Sequence, residues 1–269
     1  MTSARVRRRL LASSLFLLTA CSESGLQNPA QPQIPPVPGK DAGKGKPGKH
    51  PPGTVTIGVY RPSDHTFLLR NTNEAGEPDL KVALGQKGDL PVAGDWDGDG
   101  LATVGVYRPS EGKFYLRNAH TPGEPELTIT FGSKDDLPIA GDWDGDGIWS
   151  VGVYRVADST FLLRNAHTPG PADVTLAFGQ AGDVPIAGDW DGNGSFTAGV
   201  FRPSEGKTYL RNAHTPGEPD HVITMGKAGD SPFAGDWDGN GSVTIGFFRA
   251  SEPAMYLRGG HGADTSGSV

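Results

Sequence analysis

Short segments of alternating apolar and polar residues run through the chain from residue 54 to about residue 259 and predict β-strands. Residues 174–178 show the pattern clearly, because Val174, Leu176 and Phe178 share one face while small or polar residues occupy the other. Turn-forming sequences such as Asp-Gly-Asp-Gly and His-Thr-Pro-Gly separate neighbouring segments. No segment beyond residue 20 carries a sustained helical period, so the pattern predicts an all-β domain.

The predicted strands belong to a tandem repeat. The string Gly-Asp-Trp-Asp-Gly-(Asp/Asn)-Gly occurs four times at intervals of 47 residues, around Trp96, Trp143, Trp190 and Trp237. A second string, Gly-x-(Tyr/Phe)-Arg, occurs five times at the same interval. Each complete unit contains four strand-like segments, and such a unit repeated every ~40–50 residues is typical of a β-propeller blade. The sequence therefore predicts a small β-propeller of four-stranded antiparallel blades.

The number of blades is set by how the incomplete first and last units are counted. Five copies of the second and third strands favour five blades, of which the first and the last would have three strands. A ring of four blades is also possible if the strand that begins near Pro232 completes the N-terminal blade.

Composition and charge exclude several structural and functional classes of protein. The chain has 269 residues, of which 40 are Gly, 23 are Pro and one is Cys. This composition excludes a coiled coil and a disulfide-stapled scaffold. Residues 53–269 carry 16 basic and 29 acidic side chains, which argues against binding to nucleic acid. The repeated Arg residues are therefore expected to pair with Asp inside or between blades.

The N-terminal segment has the features of an export signal. Residues 1–20 combine a basic start with an apolar stretch too short to span a membrane. The sequence Leu18-Thr19-Ala20-Cys21 resembles a bacterial lipobox, which implies cleavage before Cys21 and lipid attachment to its sulfur. An ordinary signal peptide that happens to precede a Cys is the alternative. We expect a lipid-anchored protein in the cell envelope, with its propeller outside the cytoplasm.

Two segments flank the repeats and lack the apolar residues needed for a core. Residues 21–53 are rich in Pro, Gly and Lys, and we expect a disordered tether that joins the lipid to the propeller. Residues 260–269 are expected to form a disordered tail. The predicted propeller therefore covers residues 54–259.

The Asp-rich loops have the residue pattern of a cation site. Alternate side-chain oxygens can converge on a hard cation such as Ca²⁺, and a Gly at the sixth position permits the sharp turn. The side chains at positions 1, 3 and 5 are Asp95, Asp97, Asp99; Asp142, Asp144, Asp146; Asp189, Asp191, Asn193; and Asp236, Asp238, Asn240. Position 7 offers a backbone carbonyl from Leu101, Ile148, Ser195 or Ser242, and position 9 a hydroxyl from Thr103, Ser150, Thr197 or Thr244.

Loop sequence, strand order and period together resemble the FG-GAP repeats of integrin-α-like propellers and bacterial VCBS-type proteins. The FG element is present as Phe131-Gly132 and Phe178-Gly179. The resemblance implies structural calcium in these loops. The family usually has Asp at position 9, so the hydroxyls found here imply weak sites, with Kd of ~10⁻⁴–10⁻³ M. The alternative is that these loops are metal-free Asx-turns.

The repeated tryptophans have two possible roles. Trp96, Trp143, Trp190 and Trp237 could each stack on a sugar, which would give a multivalent lectin, or each could pack against a neighbouring blade. Packing is favoured, because a domain with few apolar residues needs large anchors.

No recognisable catalytic motif occurs in the sequence. The predicted function is therefore binding or adhesion to a protein or glycan partner. A carbohydrate-active enzyme that uses one face of the propeller is the competing prediction, and a structural spacer is the third.

Overall fold

The computed structural model describes residues 14–18, 56–71, 76–121, 123–237, 240–252, 254–260 and 266–268. Every regular element in these ranges is a strand. None of the described residues belongs to a helix that is long and apolar enough to cross a membrane.

The strands form five antiparallel sheets of four strands each, which we number as blades 1 to 5. Blade 1 contains β1 (Ser14–Leu18), β2 (Thr56–Arg61), β3 (Thr66–Leu69) and β4 (Leu80–Ala83), and blade 2 contains β5 (Leu90–Gly94), β6 (Thr103–Arg108), β7 (Lys113–Leu116) and β8 (Leu127–Thr130). Blade 3 contains β9 (Asp136–Gly141), β10 (Ser150–Arg155), β11 (Thr160–Leu163) and β12 (Val174–Ala177), and blade 4 contains β13 (Val184–Gly188), β14 (Thr197–Arg202), β15 (Lys207–Leu210) and β16 (His221–Thr224). Blade 5 contains β17 (Ser231–Gly235), β18 (Thr244–Arg249), β19 (Ala254–Arg258) and β20 (Ser266–Ser268).

The first strand of every blade lies at the centre of the ring. β5 contacts β9, β9 contacts β13, β13 contacts β17, and β1 contacts both β17 and β5. The ring is therefore closed, and the five-blade prediction is confirmed.

The structure differs from the sequence prediction in the first and last blades, since both have four strands. β1 fills the inner place of blade 1 and lies within the predicted signal peptide, whereas β20 lies within the predicted tail. The apolar run at residues 10–20 has the features of a signal sequence, and periodicity alone does not identify a short apolar run as a strand. The rest of the signal peptide, Cys21 and the whole of the predicted tether lie outside the described residues.

In blades 2 to 5 the second strand is the most deeply buried element. In β10, five consecutive residues beginning at Ser150 are buried, whereas in the outer strand β12 only Leu176 is buried. A strand that is buried on both faces needs a neighbouring sheet on each side. The core of the protein therefore consists of the layers between blades.

The repeated tryptophans belong to these layers. Trp96 packs in one cluster with Phe114 of its own blade and Val153 of blade 3. Its indole lies so close to Gly94 that a Cβ at that position would come within 2.9 Å of two ring atoms. Gly at this position is therefore required by the close approach of the ring.

Arg–Asp pairs hold the connections between blades in place. Arg108, at the end of β6, donates to both carboxylate oxygens of the buried Asp89 at 3.0 and 2.9 Å, and Asp89 also accepts from the Gln86 N–H. The same pairing recurs as Arg155–Asp136, Arg202–Asp183 and Arg249–Asp230. The expected Arg–Asp pairing is therefore confirmed within blades 2 to 5.

The buried tryptophans predict a large effect of truncation. Trp190 is 1 % exposed, so Trp190→Ala should lower the free energy of unfolding by about 3–5 kcal/mol, because it removes the apolar ring and leaves a cavity between blades. Urea denaturation is the measurement. Val222→Ala is the control, since Val222 is 52 % exposed and its truncation should change the free energy of unfolding by under about 0.5 kcal/mol. An equal, small loss in both variants would contradict the inter-blade packing.

Candidate functional site

Each Asp-rich loop is organised by its first carboxylate. In the loop between β5 and β6, one carboxylate oxygen of Asp95 accepts from the N–H groups of Gly98 (2.8 Å) and Asp99 (3.1 Å). The other oxygen accepts from the Gly100 N–H at 2.9 Å. Gly98 and Gly100 have φ values of 73° and 90°, a region in which Gly carries no steric penalty. The turn predicted from the Gly spacing is therefore present.

The same arrangement recurs in the other loops. The first carboxylate accepts from backbone N–H groups in each of them, and the residues are Asp142 with Gly145, Asp146 and Gly147; Asp189 with Asn193 and Gly194; and Asp236 with Asn240 and Gly241. These are the bonds of an Asx-turn, so the loops have a fold of their own whether or not a cation binds.

Two loops bring three carboxylates together. One ligand atom from each of Asp95, Asp97 and Asp99 lies within 4.8 Å of the others, and the same holds for Asp142, Asp144 and Asp146. Within the described ranges these are the only groups of three or more acidic, His or Cys side chains that could hold a metal ion. The other two loops have Asn193 and Asn240 at the fifth position, and Asp238 lies outside the described residues.

The electrostatics of these clusters favour a positive ion. Burial raises the pKa of Asp95, and the charges of Asp99 and Asp97 raise it further, while hydrogen bonds from Gly100 and Gly98 act in the opposite direction. Burial also raises the pKa of Asp189. A cation next to Asp95 would offset both the cost of burying its negative charge and the repulsion from the neighbouring carboxylates.

The predicted ligands at position 9 are not part of the clusters. The Thr103 hydroxyl donates to the Arg117 carbonyl. The Thr197 hydroxyl lies 2.6 Å from the Arg211 carbonyl and 3.3 Å from the Gly188 carbonyl, and Thr244 makes the same contacts with Arg258 and Gly235. These hydroxyls tie neighbouring strands together, and Ser150 is buried at the equivalent position. The hydroxyls of Thr103, Thr197 and Thr244 are engaged at the start of the second strand, which argues against them as ligands, and Ser150 stays a predicted ligand.

The residues at position 7 divide into two pairs. The Ser195 hydroxyl donates to the Trp143 carbonyl and the Ser242 hydroxyl to the Trp190 carbonyl, both at 2.9 Å. Leu101 and Ile148 have exposed side chains instead. Their backbone carbonyls stay predicted ligands.

Backbone hydrogen bonds join successive loops into an arc at one end of the propeller. Trp149 N–H donates to the Asp95 carbonyl at 2.7 Å, and Phe196 N–H donates to the Asp142 carbonyl at 2.6 Å. Val243 N–H donates to the Asp189 carbonyl in the same way. A displacement of one Asp loop would therefore be transmitted to the next blade through these hydrogen bonds.

The tryptophan prediction is resolved in favour of packing. Trp96, Trp143 and Trp190 are buried, and Trp237 is half-buried. A sugar needs an exposed ring face to stack on, so the first three rings do not offer a stacking surface. The proposed lectin site on the repeated tryptophans is therefore wrong for these three positions.

A groove between blades 1 and 2 was missed by the sequence analysis. It has a volume of about 630 Å³ and is lined by polar groups from both blades, among them Asp64, His65, Arg108, Tyr115 and Glu124. The lining also includes Thr128 and the apolar residues Ala83, Leu84, Val106 and Pro125. The Arg108 guanidinium lies 4.3 Å from the centre of the Tyr115 ring, and the Tyr115 hydroxyl donates to Glu111 at 2.7 Å.

His65 is the residue that distinguishes this groove from the repeat. Its φ of 55° lies in the left-handed region, where the equivalent positions of blades 2 and 4 have Gly112 and Gly206. Ser159 holds the same conformation in blade 3, with a φ of 56°. A side chain held in this conformation carries a steric cost, which often marks a functional position. The departure of His65 from the Gly of the repeat was the available sequence signal.

Comparisons with known proteins give no family assignment. No protein-family model and no curated protein matches the chain. Among solved structures, a lectin of Agrocybe aegerita described as recognising non-reducing terminal N-acetylglucosamine matches with 17 % identity and a TM-score of 0.43, over 80 % of this chain and 62 % of that one. BBS1N in complex with ARL6DN matches with 10 % identity and a TM-score of 0.40, over 76 % and 60 %. The chain thus spans about 60 % of the length of these structures.

The bonds of Thr103 predict separate effects on stability and on cation binding. Thr103→Val should lower the free energy of unfolding by about 1–3 kcal/mol, because the carbonyl of Arg117 loses a buried donor. It should leave any calcium-induced rise in melting temperature unchanged. Differential scanning calorimetry with and without calcium measures both effects, with the exposed Thr128→Val as the control. A calcium response that disappears in Thr103→Val alone would restore the hydroxyl as a ligand.

Proposed function

We propose that the protein is a lipid-anchored surface β-propeller that binds a saccharide in the groove between blades 1 and 2, with calcium as a structural ion in its Asp loops. The observation that carries the proposal is the composition of the groove. Binding is the function class that this site supports best, and fold similarity contributes no argument about the ligand.

The groove has the chemical variety that a saccharide requires. Asp64 and Glu124 supply acceptors, Arg108 and His65 supply nitrogen groups, and Thr128 supplies a hydroxyl for the many hydroxyls of a sugar. Ala83, Leu84 and Pro125 offer apolar contacts to the carbon faces of a sugar ring. The volume of about 630 Å³ lies within the range of ~300–1,000 Å³ usual for small-molecule sites.

Calcium fits the donor set of two loops. Asp95, Asp97 and Asp99 would hold one ion, and Asp142, Asp144 and Asp146 a second, because hard oxygen donors in close groups are the ligands that calcium prefers. A bound ion would neutralise the loop and stabilise the turn between the first and second strands. The two loops with Asn at position 5 have fewer charges and would bind more weakly.

The anchor and the location complete the proposal. Lipid on Cys21 would fix the chain to the membrane, and residues 22–53 would carry the propeller away from the surface. This arrangement suits a protein that captures saccharides of its own or another cell's envelope.

Saccharide binding is tested by a matched pair of turn variants. His65→Gly removes a side chain that lines the groove, whereas Ser159→Gly makes the same backbone change in blade 3, away from it. Both should leave stability unchanged or raise it by about 1 kcal/mol, since each relieves a positive φ. On a glycan array, only His65→Gly should reduce binding. The reduction should be at least about tenfold, because a lost hydrogen bond to a charged group costs about that factor in affinity.

Three outcomes would contradict the groove as the saccharide site. These are no bound glycan for the parent protein, equal binding by both variants and the parent, or equal loss in both variants. Cleavage of a bound oligosaccharide would instead favour the competing enzyme function.

Structural calcium is tested by its effect on stability. With Kd values of ~10⁻⁴–10⁻³ M, 10 mM calcium should stabilise the fold by about 1.4–2.7 kcal/mol for each site. Thermal unfolding with calcium, and after chelation, measures this shift. No shift with calcium, or an equal shift with magnesium at the same ionic strength, would contradict a calcium site.

Asp97→Asn distinguishes the contribution of a bound ion to stability from the contribution of the Asx-turn. Because the folded-state pKa of Asp95 is raised above its unfolded value, its ionised form destabilises the metal-free fold as the pH rises through that pKa. Removing the charge of Asp97 should therefore leave the metal-free protein equally or more stable at neutral pH, but reduce the calcium-induced shift. Asp158→Asn should change neither, because Asp158 is exposed in the turn at the opposite end of β10 from the second Asp loop.

A further inference from the structure

The inner place of blade 1 is filled by β1, which has the register of every other inner strand. Residue 16 lies opposite Gly58, as Val92 lies opposite Gly105 in blade 2. β1 also contacts β5 on one side and β17 on the other, so it completes the ring.

The same segment is the one that the proposed processing would remove. Cleavage before Cys21 would take β1 away and leave one edge of β2 without a hydrogen-bonding partner. Unpaired backbone groups at a buried sheet edge are costly, and an open edge recruits another strand. The processed protein therefore needs a different occupant for this place.

The other inner strands share a short sequence rule. β5, β9, β13 and β17 each contain Pro, an apolar residue, Ala and Gly in that order, and each ends on that Gly. Between Cys21 and β2 the chain contains Pro36-Val37-Pro38-Gly39, which differs from the rule only by Pro in place of Ala.

The match continues into the loop. Gly39, Gly43 and Gly45 have the spacing of Gly94, Gly98 and Gly100, which end β5 and form the turn of the first Asp loop. Lys40 and Lys44 stand where that loop has Asp95 and Asp99. Residues 36–45 therefore have the pattern of an inner strand and its loop, with lysines in place of the carboxylates.

Pro36 and Pro38 are compatible with an inner strand. Each inner strand is at the end of its sheet, so one of its edges has no strand partner. Proline is tolerated in a sheet where its missing N–H would point to such an edge. All four repeat strands have Pro at the position of Pro36, and Pro38, two residues on, shares the direction of its N–H.

The connection is long enough. Sixteen residues separate Gly39 from Thr56 at the start of β2, whereas eight separate Gly94 from Thr103 in blade 2. The added length raises the entropic cost of loop closure only slightly, because that cost grows with the logarithm of length.

We propose that processing exchanges the inner strand of blade 1: residues 36–39 take the place of β1 once residues 1–20 are removed. This inference rests on the lipid-anchor part of the proposed function. The occupant is a segment of the same chain, and the exchange requires no bond to form or break beyond the signal-peptide cleavage itself. The tether then begins at Cys21 and ends at residue 35.

A cysteine pair tests the register. In Pro38→Cys/Ile57→Cys, the two residues would be opposite each other, as Ala93 and Val104 are in blade 2. The full-length gene is expressed in a host that exports and lipidates the protein, and the processed form is purified from membranes. Oxidation should form an intrachain disulfide at least tenfold faster than in the control Ile34→Cys/Ile57→Cys, which places the cysteine outside the proposed strand.

The unprocessed chain gives the opposite expectation. Cys21→Ser blocks lipidation and cleavage, and expression in the cytoplasm of a host without export keeps residues 1–20 out of the membrane, so β1 stays in blade 1. In that background Leu17→Cys/Ile57→Cys should form the disulfide, because residue 17 lies opposite Ile57, and Pro38→Cys/Ile57→Cys should not.

A charge placed in the strand provides a second readout. In the processed form, Val37→Asp should lower the melting temperature by several degrees, because Val37 would take the buried place that Val92 has in blade 2. Ile34→Asp should leave the melting temperature within one degree of the parent.

The outcomes distinguish a failure of the strand exchange from a failure of the lipid anchor. Processed protein without a preferential Pro38–Ile57 disulfide, or with equal effects of Val37→Asp and Ile34→Asp, would overturn the exchange alone. A disulfide that joins two chains, each with one of the cysteines, would show that a second copy supplies the strand and would also overturn it. Membrane-purified protein whose intact mass still includes residues 1–20 would contradict both the anchor and the exchange.

Discussion

The constraint on which the structure depends is that no blade can cover its own central strand. In β10, five consecutive residues are buried, and their two faces are covered by blades on either side. The second strands of blades 2 and 4 also have five consecutive buried residues and that of blade 5 has four, so the sheets must close into a ring before the core is complete. The buried tryptophans that pack between blades and the Arg–Asp pairs that hold the connecting segments both serve this closure, and the tryptophans would be left exposed in an isolated four-stranded sheet.

Much of this arrangement could be predicted from the sequence because it repeats. Five copies of one string favoured five blades over four. The deficit of apolar residues favoured burial of Trp96 and its equivalents, and the acidic excess favoured pairing of the repeated Arg with Asp, which the structure shows for Arg108 and Asp89. The features that sequence analysis missed occur once, or depend on neighbours in space. A position count within the loop does not reveal that Thr103 already belongs to a strand, and the apolar run that contains β1 has the character of an export signal.

The chemistry of the propeller lies where the repeats differ from one another. Loops with a third Asp form tight carboxylate groups, whereas loops with Asn at the fifth position have one carboxylate fewer. His65 lines a groove at a turn where blades 2 and 4 have Gly. Trp149 and Phe196 pack together at 4.4 Å on the loop end, where blade 2 has Ala102. Near-identical blades thus provide the frame, and the few residues that differ between blades form the carboxylate groups and line the groove.

Ring closure also sets an order of events in folding. Within each blade from β5 to β16, all four strands come from one continuous stretch of chain, so these sheets can form as the chain emerges. The contact between blades 1 and 5 joins the two ends of the molecule. Whatever segment fills the inner place of blade 1, that contact cannot form until blade 5 has been made. If the chain is exported as proposed, it would remain an open arc of sheets during transit and become a finished ring only after its last blade has left the membrane.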